Sequence, residues 1–123
     1  MPIQPHHTRW TDIEPEPMNP LLSRQLVWGE QAMISRIELK KGCIVPLHSH
    51  PNEQIAYITE GLMRFTLGSL GSTTEYMLAA GDLLVIPGNV PHMAEAIEFS
   101  VNFDIFSPPR QDWINKEDSY LRG

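Results

Sequence analysis

From Gln25 to Phe106 the chain reads as short apolar–polar runs separated by turn residues. Met33, Ile37 and Leu39 alternate with Arg36, Glu38 and Lys40, a period of two that predicts a half-buried strand. Lys41-Gly42, Glu60-Gly61 and Ala80-Gly81-Asp82 predict turns, and Gly68-Ser69-Leu70-Gly71-Ser72 predicts a hairpin loop. Leu83-Leu84-Val85-Ile86 is a continuous apolar run, which predicts a strand buried on both faces. In the last predicted strand, Phe99, Val101, Phe103 and Ile105 share one face, and Ser100, Asn102, Asp104 and Phe106 share the other. A mostly polar face holding one aromatic suits the lining of a binding pocket. Many short strands with regular turns predict an all-β barrel or jelly roll.

The flanks differ from this middle. Residues 1–23 carry Pro2, Pro5, Pro15, Pro17 and Pro20, which excludes a long helix and predicts an extended N-terminal arm. A barrel over 24–107 and a polar tail over 108–123 complete a single domain, which suits a length of 123 residues. In the tail, Trp113, Ile114, Tyr120 and Leu121 are candidate anchors, and a short helix is expected to begin near Gln111. Nine basic and fifteen acidic side chains give a net charge of −6, which argues against nucleic acid or an anionic membrane as partner. The single cysteine, Cys43, excludes an intrachain disulfide and reads as a packing residue. No apolar run is long enough for a membrane span, and Met1–Arg9 has no signal-peptide apolar core, so a cytoplasmic protein is expected.

The candidate chemistry begins at His48-Ser49-His50. Two residues apart on a strand, the imidazoles point the same way and can share a metal ion. Gln54 has the same parity and joins them if the strand continues without a bulge. Glu53 is the alternative if a local bulge intervenes. His92, after Ile86-Pro87-Gly88-Asn89-Val90-Pro91, supplies a third imidazole. Three imidazoles suit Zn, Ni, Fe or Mn. Gln54 offers a neutral oxygen where a carboxylate would cancel part of the metal charge. The metal then stays a stronger Lewis acid for an anionic oxygen substrate, which departs from the two-His-one-carboxylate set of iron oxygenases.

Asp104 and Phe106 share the expected cavity face, with Asn102 beside them, and Pro108-Pro109 holds Arg110 near its mouth. Asp104 is either a proton-transfer group or a hydrogen-bonded structural carboxylate. Arg110 either grips a carboxylate bidentately or forms a surface ion pair. Met93, next to His92, is a candidate pocket-lining residue. His6 and His7 sit in the arm and are expected to bind nothing. Trp10 and Trp28 are placed to cover the barrel or a dimer seam.

Two spaced motifs carry a family resemblance. Gly42-(five residues)-His48-x-His50-(three residues)-Gln54-(six residues)-Gly61 resembles the first cupin motif, with Gln in place of its usual Glu. Gly81-(five residues)-Pro87-(four residues)-His92 resembles the second, with Asn89 in place of its usual Gly and Ala96 in place of its usual Asn. The likeness covers roughly residues 24 to 107 and implies a cupin β-barrel, or double-stranded β-helix. Within the cupins, Pro46–Ile55 together with Asp104-Ile105-Phe106-Ser107-Pro108-Pro109-Arg110 resembles the pectin-degradation KdgF group. That resemblance implies a divalent metal, Zn or Ni ahead of Fe or Mn, on His48, His50, Gln54 and His92. It implies Asp104 and Arg110 as catalytic residues, with Phe106, Arg110, Met93 and Asn102 around a small sugar acid. The implied reaction converts 4,5-unsaturated monouronates from pectin or alginate to their linear keto form. A homodimer is expected, because small cupins bury strand edges by pairing. A metal-dependent dioxygenase and a non-catalytic sugar- or effector-binding cupin are the alternatives.

Overall fold

A computed structural model of the chain describes residues 4–69 and 71–122. Pro2 of the arm and Leu70 of the predicted hairpin loop lie outside the described residues. Among the described residues ten strands form two antiparallel sheets. The larger sheet holds β1 (Glu16–Asn19), β2 (Leu22–Trp28), β3 (Met33–Leu39), β10 (Ser100–Ser107), β5 (Glu53–Glu60) and β8 (Leu83–Ile86), in that spatial order. The smaller holds β4 (Ile44–His48), β9 (His92–Ala96), β6 (Leu62–Ser69) and β7 (Ser72–Ala79). Helix α1 (Gln111–Ile114) begins where the sequence predicts it, and 3-10 turns flank the strands at Trp10–Asp12 and Ser119–Leu121. Among the described residues no helix is long and apolar enough to cross a membrane.

The core lies between the sheets. Met33, Ile37, Leu39, Ala56, Ile58 and Phe106 come from the larger sheet, and Met63, Phe65, Ala94 and Ala96 from the smaller. In β3 every second side chain is buried, as the alternation of Met33, Ile37 and Leu39 predicts. β10 turns Asn102, Asp104 and Phe106 inward, while Phe103 is half-buried and Ile105 exposed on the outer face. Gly61 is required by its surroundings. Its φ is +96°, and a Cβ there would meet the Phe99 carbonyl and the Ser100 side chain.

Two expectations change. Leu83–Ile86 is not buried on both faces, since Leu83 is 63% exposed and Val85 57%. β8 is an edge strand, and no described residue covers the outer face of the larger sheet enough to bury Leu83 or Val85. The expected arm also contains strand. Residues 16–19 pair with residues 22–24 as an antiparallel hairpin, and Met18 joins the core. Pro17 is accommodated because β1 is an edge strand with a register shift beside it. Before β1, Trp10 packs on Phe103 at 5.8 Å between ring centroids, and Gln25 Nε2 donates to the Trp10 and Ile13 carbonyls at 2.8 Å each.

Candidate metal centre

β4 and β9 pair antiparallel, and His48 stands opposite His92 in the register. Their rings lie 4.3 Å apart. The pairing slips by one residue between Val45 and His48. Pro46 sits in that interval and has no N–H to give the ladder, which accounts for the bulge. His50 lies beyond β4, in the loop before β5, so it reaches the site through a turn and not along a continuous strand. Gln54 is the second residue of β5. The convergence expected from strand parity alone is therefore made by a bulge, a loop and a second sheet. Glu53 faces outward and is exposed, while Gln54 is buried inward.

The second motif's departures fit this frame. Asn89 has φ +66°, a left-handed conformation that Gly adopts freely and Asn tolerates. Its N–H donates to the His50 carbonyl at 2.7 Å, so it ties the β8–β9 loop to the His50 turn. Gly88 is packed so closely on the Pro51 carbonyl that a Cβ has no room. Ala96 is fully buried and donates its N–H to the Cys43 carbonyl at 2.9 Å.

His48, His50 and His92 present ligand atoms that all lie within 4.8 Å of one another. Each Nδ1 lies against a backbone carbonyl: Pro46 at 2.7 Å, Asn52 at 3.0 Å and Val90 at 2.9 Å. A carbonyl only accepts, so each Nδ1 carries the proton and each Nε2 keeps its lone pair. This is the tautomer a metal ligand needs, fixed by outer contacts. Burial pushes His48 and His50 down to about 4, and the charges of Arg110 and the neighbouring imidazoles push the same way. Burial also lowers His92. All three are neutral at neutral pH and ready to ligate.

Four buried side-chain polar atoms lack a hydrogen-bond partner among the described residues, and three line one cavity: His92 Nε2, Asn102 Oδ1 and Arg110 Nη1. Leaving each unpaired costs about 1–3 kcal/mol. Two acceptors and a donor around one small space call for a polar guest. The donor set therefore fits a divalent metal.

Asp104 is 4% exposed and lies on the same wall. Burial raises its carboxyl to about 6, against the opposing effects of Asn102, Gln54 and Arg110. Phe106 lies 5.6 Å from the His50 ring. Arg110 is no surface residue. It is 2% exposed, with its guanidinium 5.1 Å from the Phe106 ring centroid and 4.7 Å from that of Trp113. Its fork is already engaged, because Nε and Nη2 donate to Asp112 at 2.9 and 2.7 Å. Met93 does not line the cavity. Strand alternation turns it away from His92 and Ala94, both of which do.

The tail contributes more than anchors. Tyr120 stacks on His48 at 4.6 Å, accepts from Arg110 Nη2 at 2.9 Å and accepts from Trp113 Nε1 at 3.0 Å. Asn52 Nδ2 donates to the Pro108 carbonyl at 2.6 Å. Fully buried Arg24 pairs with Asp118 and stacks on Trp113 at 4.5 Å. The sequence held a signal for Arg24, which shares inward parity with Leu22 in β2. Asp112 and Asp118 had none beyond lying in a polar tail. Trp113, Tyr120 and Leu121 of the tail form part of the wall of this cavity, which has about 40 Å³ of free volume.

Comparison with known proteins decides the family. The cupin domain matches residues 35–98, more than half of the chain. The chain is a cupin. Curated protein sequences give no match to it. The structure of KdgF from Halomonas sp. superposes on this cupin with a TM-score of 0.81 at 24% identity, covering 89% of this chain and 99% of the other. An RmlC-like cupin from Shewanella frigidimarina NCIMB 400 does so with a TM-score of 0.81 at 27% identity, covering 92% and 99%. An oxalate decarboxylase from Bacillus subtilis with Mn(II) centres matches with a TM-score of 0.73 at 23% identity, covering 84% of this chain and 31% of that one. These likenesses agree with the two-sheet jelly roll.

The depressed histidines make a pH prediction. Their neutral forms are favoured by the fold, so the unfolded chain binds more protons between about pH 6.5 and 4. The histidine contribution to the stability of the metal-free cupin is complete above pH 6.5 and is lost as pH falls toward 4, while Asp104, raised to about 6, acts in the opposite sense. At pH 5 the loss is about 2 kcal/mol per imidazole. Thermal melts of metal-free protein at pH 7 and 5 check this, with a His48→Gln, His50→Gln variant expected to lose less than the wild type. Equal losses in both proteins would reject it.

Proposed function

We propose that this cupin is a metal-dependent sugar-acid enzyme that converts 4,5-unsaturated monouronates to their linear keto form. One observation carries the reading: two histidines of the three-histidine cluster, His48 and His92, line the same cavity as an unpaired Arg110 N–H. A cation and a guanidinium N–H together complement an anionic, oxygen-rich ligand. The bound metal, Zn or Ni ahead of Fe or Mn, would polarise substrate oxygens. The chain's own residues supply the rest. Arg110 orients the carboxylate, with Nη1 free and the fork open to exchange from Asp112 to substrate. Phe106 and Asn102 pack and hydrogen-bond the ring. Asp104 moves the proton: the anomeric hydroxyl loses one, the bond from the anomeric carbon to the ring oxygen breaks with its electron pair left on that oxygen, and the resulting enolate gains one proton at carbon to become the ketone. No oxidant or reductant is needed.

The cavity size adds a condition. About 40 Å³ exceeds the roughly 10–15 Å³ that one water needs but falls far below the roughly 300 Å³ of small-molecule pockets. A uronate would need more room than this, and the tail residues Trp113, Tyr120 and Leu121 on the cavity wall are the ones that would have to shift. Elemental analysis of purified protein, then an assay on unsaturated galacturonate and mannuronate monomers, tests the function. Bound metal with no turnover of either leaves a binding cupin, and oxygen consumption by the Fe(II) form instead marks a dioxygenase.

The working form we propose is a cytoplasmic homodimer. Leu83, Val85, Tyr57 and Ile105 lie exposed on the outer face of the larger sheet, next to the arm's Trp10 and Phe103 contact. Leu83→Arg with Val85→Arg is expected to turn a dimer into a monomer by light scattering. A monomeric wild type at high micromolar concentration would reject the pairing.

A further inference from the structure

The Gln54 carboxamide has contacts on both ends. Its Oε1 lies 3.1 Å from His50 Nε2, and its Nε2 donates to Asp104 Oδ1 at 2.9 Å. His50 Nδ1 faces the Asn52 carbonyl, so His50 Nε2 bears a lone pair. Two lone pairs then face each other at 3.1 Å. That arrangement is repulsive by itself and becomes favourable when one cation accepts both. Turning the carboxamide over would relieve it, but would set Oε1 against the Asp104 carboxylate, an acceptor against an acceptor. The carboxylate therefore decides which end of Gln54 faces the histidines.

The fold holds this relay in place. β10 and β5 pair with Phe106 opposite Gln54 and Asp104 opposite Ala56, so Asp104 and Gln54 are diagonal neighbours on the inward face. Both are buried, Gln54 at 5% and Asp104 at 4% exposure.

We infer that Asp104 is a positioning residue for the metal centre: its carboxylate fixes the Gln54 carboxamide so that Oε1 faces His48, His50 and His92 as a fourth, neutral ligand. The arrangement keeps a negative charge near the centre without placing it on the metal. It rests on the metal-site reading of the three histidines and is independent of the substrate.

The test is a Co²⁺ titration of metal-free protein, with affinity from chelator competition and coordination from the visible spectrum. Asp104→Leu removes the acceptor and is expected to weaken Co²⁺ binding by roughly 10–100-fold, the usual cost of losing an outer partner of a ligand. Asp104→Asn keeps an acceptor oxygen and is expected to stay within about threefold, with the wild-type spectrum. Gln54→Ala should cost as much as Asp104→Leu, and adding Asp104→Leu to it should cost little more, because the effect travels through Gln54. If the leucine variant does not fold, Asp104→Ala takes its place in the cycle. Unchanged affinity on removing the acceptor, or fully additive losses in the double variant, would overturn the inference. A wild type that binds no Co²⁺ would instead overturn the metal site itself.

Discussion

Replacing both His48 and His50 by alanine is expected to abolish metal binding and leave a folded barrel. The two imidazoles are two of the three whose ligand atoms lie within 4.8 Å of one another. His92 alone cannot hold a divalent ion against water, because a cation site needs several converging donors. Metal content should fall from about one ion per chain to under about a tenth. The fold should survive, because the core is built from Met33, Ile58, Met63, Phe65 and Phe106, and none of these depends on the metal. The far-ultraviolet circular dichroism should be unchanged, and elemental analysis reads the loss. Stoichiometric metal in the double variant would sink the site.

Asp104→Asn is expected to lower turnover of unsaturated uronates by roughly 10²–10⁴-fold, the range for losing a general acid or base. Asparagine keeps the shape and an acceptor for Gln54, so the metal should stay and substrate affinity should change little. The variant therefore removes proton transfer without removing positioning. Burial holds the Asp104 carboxyl at about 6, between the ordinary carboxylate range and neutrality, where both protonation states are within reach. Steady-state kinetics at saturating metal check this. Unchanged turnover would take Asp104 out of the chemistry and leave it the positioning role alone.

Much of the fold was legible because its signals are local. The alternation of Met33, Ile37 and Leu39 sets which side of β3 is buried, and strand geometry makes that a property of neighbours. The split of β10 into an outer face and an inner face holding Asn102, Asp104 and Phe106 was readable for the same reason. Leu83–Ile86 was misread because an apolar run reports hydrophobicity and not what lies above each face. Met93 was misplaced by ranking nearness in sequence to His92 above the period of two.

The sequence by itself determined the strands, the turns and the identity of the candidate ligands. Side-chain type, spacing and glycine positions are written residue by residue. Only the tertiary structure decided how those residues meet. His48 and His92 are neighbours because β4 and β9 pair, and His50 arrives through a loop that parity does not describe. Asp104 meets Gln54 because β10 lies beside β5. The cover of Tyr120 over His48 follows from where a buried Arg24–Asp118 pair docks the tail. These contacts join residues far apart in the chain, and only packing across the barrel brings them within hydrogen-bond reach.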